Sequence, residues 1–146
     1  MKGEPISDDD NVTRLCTSQN INPSDESPSP AAFILRSQDE YVSVKWLEFF
    51  GTLSREGQLE EVRRALASKM TVRSSARLGL LNVAIAKARV ERDVSADVVI
   101  AFLHRPDEPR PDPSHSGIFF SRGDAQLAIA TALAEAVKSM LPAVAS

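Results

Sequence analysis

Leu59, Val62, Leu66 and Met70 recur at intervals of three and four residues, and Glu60, Glu61, Arg63 and Arg64 fill positions between them. Apolar side chains at that spacing line up on one side of an α-helix, so the pattern predicts an amphipathic helix over residues 58–70. A second helix is expected over 125–141. There Leu127, Ile129, Leu133, Val137, Met140 and Leu141 form an apolar face, Asp124 supplies an N-cap or first-turn acid, and Pro142 ends the run. Residues 97–104, with Val98, Val99, Ile100, Phe102 and Leu103 almost uninterrupted, suit a strand buried on both faces and predict the centre of a sheet.

Shorter strands are expected over 12–16, 31–35 and 118–120, and residues 41–44 read as a strand or as the entry to a helix. The aromatic cluster Trp46, Leu47, Phe49 and Phe50, closed by Gly51, predicts a core-anchoring helical turn. Between 77 and 90 the pattern fits both periods. A strand over 77–83 followed by a short alanine-rich helix to about Val90 is the favoured reading. These elements define an α+β domain with a mixed sheet of four or five strands, the central one ending at His104, and two main helices (58–70 and 125–141) packed on it.

Composition changes the picture at the N-terminus and in two loops. Residues 1–10 are polar and acidic and bury too little apolar surface to offset their ordering entropy, so a flexible tail is expected, with one globular domain over 11–146. Residues 17–30 are rich in Ser, Asn, Asp and Pro and read as a long surface loop. Pro106, Pro109, Pro111 and Pro113 predict a stiff, extended excursion after the 97–104 strand. The single cysteine, Cys16, the absence of a signal-like N-terminus and the lack of a long apolar run predict a reducing, cytoplasmic setting with no membrane partner.

Net charge is −3 over the 146 residues, too small to argue for a polyanionic partner. Residues 55–92 nonetheless carry nine basic and four acidic side chains, a local +5. Glu60 and Glu61 precede Arg64 at spacings of four and three, which reads as a solvated helix face with weak ion pairs. No aromatics interleave with these charges as a nucleic-acid stacking platform requires. Nucleic acid is therefore not the expected partner, and no glycine-rich phosphate loop is present.

Candidate chemistry centres on His104 and His115, the only histidines, proposed as an acid/base pair because imidazole titrates near neutrality. Asp107, Glu108 and Asp112 lie nearby in sequence to orient an imidazole, and Arg122 is a candidate anion clamp. Cys16 reads as a buried, inert thiol. No metal site or cofactor is expected, since no Cys/His cluster has the spacing of one.

Arg14 on an early strand, followed by the Phe33 segment and then Tyr41-Val42-Ser43, resembles the NAD-binding ADP-ribosyltransferase-like folds. The resemblance implies that Arg14 and Ser43 line a dinucleotide site. It covers about 30 residues, and the glutamate that such enzymes commonly need has no counterpart in a suitable place. Two function classes follow. The first is a small, non-catalytic accessory or protein-interaction domain with a protein partner or a second copy of itself, which the scarcity of chemically loaded residues favours. The second is a small enzyme acting on an anionic, nucleotide-like substrate through His104, His115 and an arginine.

Overall fold

A computed structural model of the chain describes residues 3–51, 53–106, 112–121 and 123–144. Six strands, β1 (Asn11–Cys16), β2 (Val42–Trp46), β3 (Arg77–Asn82), β4 (Ile100–His104), β5 (His115–Phe120) and β6 (Ser139–Pro142), form one sheet in the order β4-β5-β2-β1-β3-β6. Helices α1 (Arg55–Lys69), α2 (Val83–Asp93) and α3 (Gln126–Ala136) complete the α+β architecture. Every strand pairing is antiparallel, which corrects the expectation of a mixed sheet of four or five strands. The reason lies in the connections. Each helix links strands that are not neighbours (β2 to β3, β3 to β4, β5 to β6), so none builds the right-handed crossover between adjacent strands that makes a parallel pair.

Side-chain alternation divides the sheet into two faces. Leu15, Leu78, Leu80 and Leu141 point to one face and meet Leu59, Val62 and Leu66 of α1. Val12, Cys16, Val42, Val44, Leu81, Phe102 and Ile118 point to the other, where α2, α3 and a 3-10 turn (Pro30–Phe33) cover them. The result is three layers with the larger core on the α2/α3 side. Helix α1 begins where the Ser54 side chain accepts from the Gly57 amide, and α2 begins where the Asn82 side chain accepts from the Ile85 amide. Each such cap satisfies an amide that the helix itself cannot, and contributes about 1 kcal/mol.

Three boundaries differ from the sequence reading. Residues 31–35 are not a strand, because Pro30 occupies the first position of a 3-10 turn that buries Ala32 and Phe33. The expected helix over 125–141 stops at Ala136. The Lys138 amide then donates to the Leu80 carbonyl at 2.7 Å, and Met140 and Leu141 pair with β3 as strand β6. An apolar run cannot distinguish one helix from a helix followed by a strand when a sheet edge stands ready to receive the second half.

The third correction concerns β4, which is not the centre of the sheet but its outer strand on one side. Its free edge is occupied by residues 3–6, in the stretch whose composition suggested a tail. The Ile6 amide donates to the Phe102 carbonyl (2.9 Å), the His104 amide donates to the Glu4 carbonyl (2.8 Å), and Ile6 itself is buried. The apolar content that suggested a two-sided central strand serves here to hold a strap. Trp46 and Asp10 secure the same segment, the indole donating to the carboxylate at 2.9 Å.

Ile6→Ala is expected to lower stability by about 2 kcal/mol, the low end for a buried isoleucine truncated to alanine. Urea unfolding measures the loss, and faster amide exchange at position 6 and at His104 than at Ile118 would locate it on the β4 edge.

Candidate functional site

The middle of the sheet is its weakest seam. β1 and β2 are in register only where Val12 faces Trp46 and Thr13 faces Lys45. Beyond Thr13, β1 stays paired with β3 as far as Cys16, while β2 stays paired with β5 back to Val42. The two strands therefore part like the arms of a fork. Arg14 occupies the opening, with Nε donating to the Ala32 carbonyl at 2.7 Å and a terminal guanidinium nitrogen donating to the Ser43 carbonyl at 2.9 Å. Its side chain supplies a donor to a β2 carbonyl where the ladder has ended.

On the α1 face of this fork lies a cavity of about 150 Å³. Thr13, Ser43, Lys45, Lys69 and His115 bring polar atoms to it, and Leu66, Met70 and Leu78 supply apolar wall. Strand register explains the gathering: Thr13, Lys45 and His115 lie side by side across β1, β2 and β5. Lys69 comes from the last turn of α1. Thr13 is 1% exposed, and among the described residues its hydroxyl has no hydrogen-bond partner. A buried hydroxyl in that state costs roughly 1–3 kcal/mol, and the residue that carries it lines the cavity.

The cationic side of the cavity is held by a buried ion pair. Lys45 Nζ donates to Asp112, whose second oxygen accepts from the Ser114 hydroxyl at 3.0 Å, and Lys69 lies 3.4 Å from the same carboxylate. Burial by itself would raise the Asp112 carboxyl. The hydrogen bond and charge of Lys45, then Ser114 and Lys69, outweigh it and hold the group below the ordinary carboxylate range. Arg14 behaves in the opposite sense, its value lowered chiefly by burial.

Lys45 also lies 3.1 Å from Nδ1 of His115, and His115 Nε2 lies 3.0 Å from the Tyr41 hydroxyl. An ammonium group only donates, so Nδ1 accepts and the neutral imidazole carries its proton on Nε2, directed at Tyr41. The Tyr41 hydroxyl proton then points away from the ring. Tyr41 itself lies flat over Gly117, where a Cβ would stand 2.3 Å from its ring, and stacks on Phe119 with ring centres 4.8 Å apart. Only glycine fits beneath it.

The sequence-derived candidates are thus distributed unevenly. Arg14 and Ser43 meet at the fork. His104 and His115 do not meet: His104 is opposite Ser116 in the β4–β5 register, one position out of phase with His115, and so lies on the other face. There it is buried against Trp46 and Phe49, its Nε2 donating to the Pro113 carbonyl at 2.6 Å. The Asp112 carboxylate bonds Lys45, which lies beside the His115 ring, and the His115 amide donates to the Asp112 carbonyl at 3.0 Å. Cys16 is buried with its thiol pushed up, burial outweighing the pull of Arg14, so it stays protonated. Arg122, Asp107, Glu108 and the prolines at 109 and 111 lie outside the described residues.

Thr13, Lys45 and Lys69 carried no sequence signal of function. One clue existed for Lys45, a charge inside an otherwise apolar strand pattern. Among the described residues no group of His, Cys, Asp and Glu could hold a metal ion, and no helix is long and apolar enough to cross a membrane. No family model, curated protein or solved structure matches the chain.

Asp112→Ala should cost about 3–5 kcal/mol, because it strands two ammonium groups in a closed site. The double variant Lys45→Met with Asp112→Leu should recover most of that loss in urea unfolding. The pair also fixes an acid response. A carboxyl held lower in the folded chain than its unfolded value of about 3.9 contributes stability above that pH and loses it as pH falls through the folded value. Asp112→Asn should flatten the stability profile below about pH 4 and leave its slope between pH 6 and 8 unchanged.

Proposed function

We propose that the chain is a small enzyme acting on an anionic, nucleotide-like substrate, and that the substrate's anionic group enters the fork between β1 and β2. The observation that carries this reading is Thr13, which lines a cavity that Lys45 and Lys69 also line and whose buried hydroxyl has no hydrogen-bond partner among the described residues. A phosphoryl oxygen there would accept from Thr13 and lie beside two ammonium groups, giving the charge-assisted bonds that dominate anion recognition. With Asp112 between them, the two lysines retain a net charge of about +1, and Arg14 behind them brings this to about +2, suited to a phosphate dianion.

The resemblance to ADP-ribosyltransferase-like folds supports the same place, because it implied a dinucleotide site at Arg14 and Ser43, the two residues that bridge the fork. NAD is accordingly the first substrate to try. Among the described residues no glutamate lines the fork cavity, so acid/base work falls to His115, with the Tyr41 hydroxyl on its Nε2. His115 is the only histidine of the original pair that this reading retains. His104 positions the Pro113 end of the segment that delivers Asp112.

Incubation with NAD and with nucleoside mono-, di- and triphosphates, followed by chromatography, tests the reading. Turnover of one of them is expected, with His115→Gln slower by about 100-fold, the usual loss when an acid/base group is removed, and Thr13→Val weaker in apparent substrate affinity. Binding without turnover would leave the site a ligand-sensing device in a non-catalytic accessory domain. Neither binding nor turnover by folded protein would refute the proposal.

A further inference from the structure

The fork cavity is too small to be the whole of a nucleotide site. About 150 Å³ is well under the roughly 300–1,000 Å³ of sites for small organic ligands, enough for a phosphoryl group and not for a nucleoside. A larger groove of about 400 Å³ adjoins it, sharing Leu15 and Met70 as common wall, and this volume lies in the range of sites for small organic ligands. We infer that the substrate is a nucleoside bearing a terminal phosphate, bound with its phosphate in the fork and its nucleoside in this groove. The inference rests on the function proposed above and adds the orientation and the residues that read the nucleoside.

The groove is built by two segments that flank the splayed end of β1. On one side is the 3-10 turn Ser18–Asn20 with Thr17 before it, and on the other is the stretch 70–76 that carries the chain from α1 to β3. Leu15, Met70, Val72 and Ala76 make an apolar surface for the face of a base or sugar. Gln19, Arg73 and the hydroxyls of Ser18 and Ser75 surround it with donors and acceptors. An amide on one side of the groove and a guanidinium on the other can satisfy the mixed donor and acceptor edge of a purine or pyrimidine, which a bare phosphate or a fatty chain would leave unpaired.

Met70 provides an independent observation. It occupies the C-cap position of α1, in line with the buried Leu59, Val62 and Leu66, yet it is 47% exposed. It also lines both the fork cavity and the groove. A flexible thioether side chain left open at the junction of two concavities is suited to close over a ligand that passes from one to the other. Leu15, half-buried on the same wall, forms the floor of that passage.

Calorimetric titration of the full chain with inorganic phosphate, AMP, GMP, UMP and the corresponding nucleosides tests the arrangement. At least one nucleotide is expected to bind tenfold or more tightly than both inorganic phosphate and its own nucleoside, and phosphate should compete with it. Thr13→Val should weaken nucleotide and phosphate together by about tenfold. Gln19→Ala and Ser75→Ala, both at exposed positions that line the groove and not the fork cavity, should weaken the nucleotide by a similar factor and leave phosphate binding unchanged. The thermal midpoint of each variant establishes that it is folded. If Thr13→Val weakens binding while both groove variants bind nucleotide as the parent does, or if nucleotides bind no better than phosphate, the nucleoside subsite is overturned and the anionic fork site stands. If neither phosphate nor any nucleotide binds, the proposed function fails with it.

Discussion

After Thr13 the two middle strands stop exchanging hydrogen bonds, and an arginine side chain takes over at the gap. The sheet is in effect two three-stranded units, β4-β5-β2 and β1-β3-β6, joined through Val12, Thr13 and their partners and then through Arg14. A continued ladder would have set Leu15 opposite Ser43 and filled the space now open on the α1 face. Because it splays, the side chains that would be routine strand residues gather around a void. The cavity, its cationic lining and the unpaired hydroxyl all descend from that parting.

A void of this kind is held open by polar groups that cannot collapse into it cheaply. Lys45 and Asp112 are both nearly inaccessible, and such a pair recovers its desolvation cost only when further hydrogen bonds complete it. Ser114 does so for the carboxylate, and His115 engages the ammonium on its other side. The chain of contacts from Asp112 through Lys45 and His115 to Tyr41 fixes four side chains by one another. Tyr41 is in turn fixed by its seat on Gly117. The site is thereby rigid on the β5 side and adaptable on the α1 side, where Met70 lies exposed.

The sequence was most informative where local periodicity and tertiary packing agree. The helix around Leu59, Val62 and Leu66 and the strand around Val12 to Cys16 are legible because each has a single buried side or a single period. Residues 97–104 misled because hydrophobic content reports burial and not rank within a sheet, and the strap over β4 comes from a part of the chain no local window contains. The 125–141 run misled because Met140 and Leu141 are apolar in helix and strand alike. Of the site, Arg14 and Ser43 were legible as residue types at strand positions, and His115 as a rare titratable side chain. Thr13, Lys45 and Lys69 were not, since their meaning lies in a register and in the placement of the last turn of α1, which no spacing along the chain encodes. The same blindness joined His104 to His115, which a one-residue offset between adjacent strands sends to opposite faces.

The strap of residues 3–6 also sets an order of events during synthesis. Its partner carbonyl and amide belong to Phe102 and His104, so these early residues have nothing to pair with until roughly a hundred more have been made. β1 and β2 can meet earlier, but only over Val12 and Thr13 with Trp46 and Lys45, and the rest of β1 awaits β3 while the rest of β2 awaits β5. Pairings so distant along the chain slow folding, because loop closure precedes the contacts that reward it. A nascent chain that has not yet reached β4 therefore emerges with Ile6 exposed and the edge it will cover still unbuilt, and the acidic run Asp8, Asp9 and Asp10 beside it is well placed to keep that segment soluble in the interval.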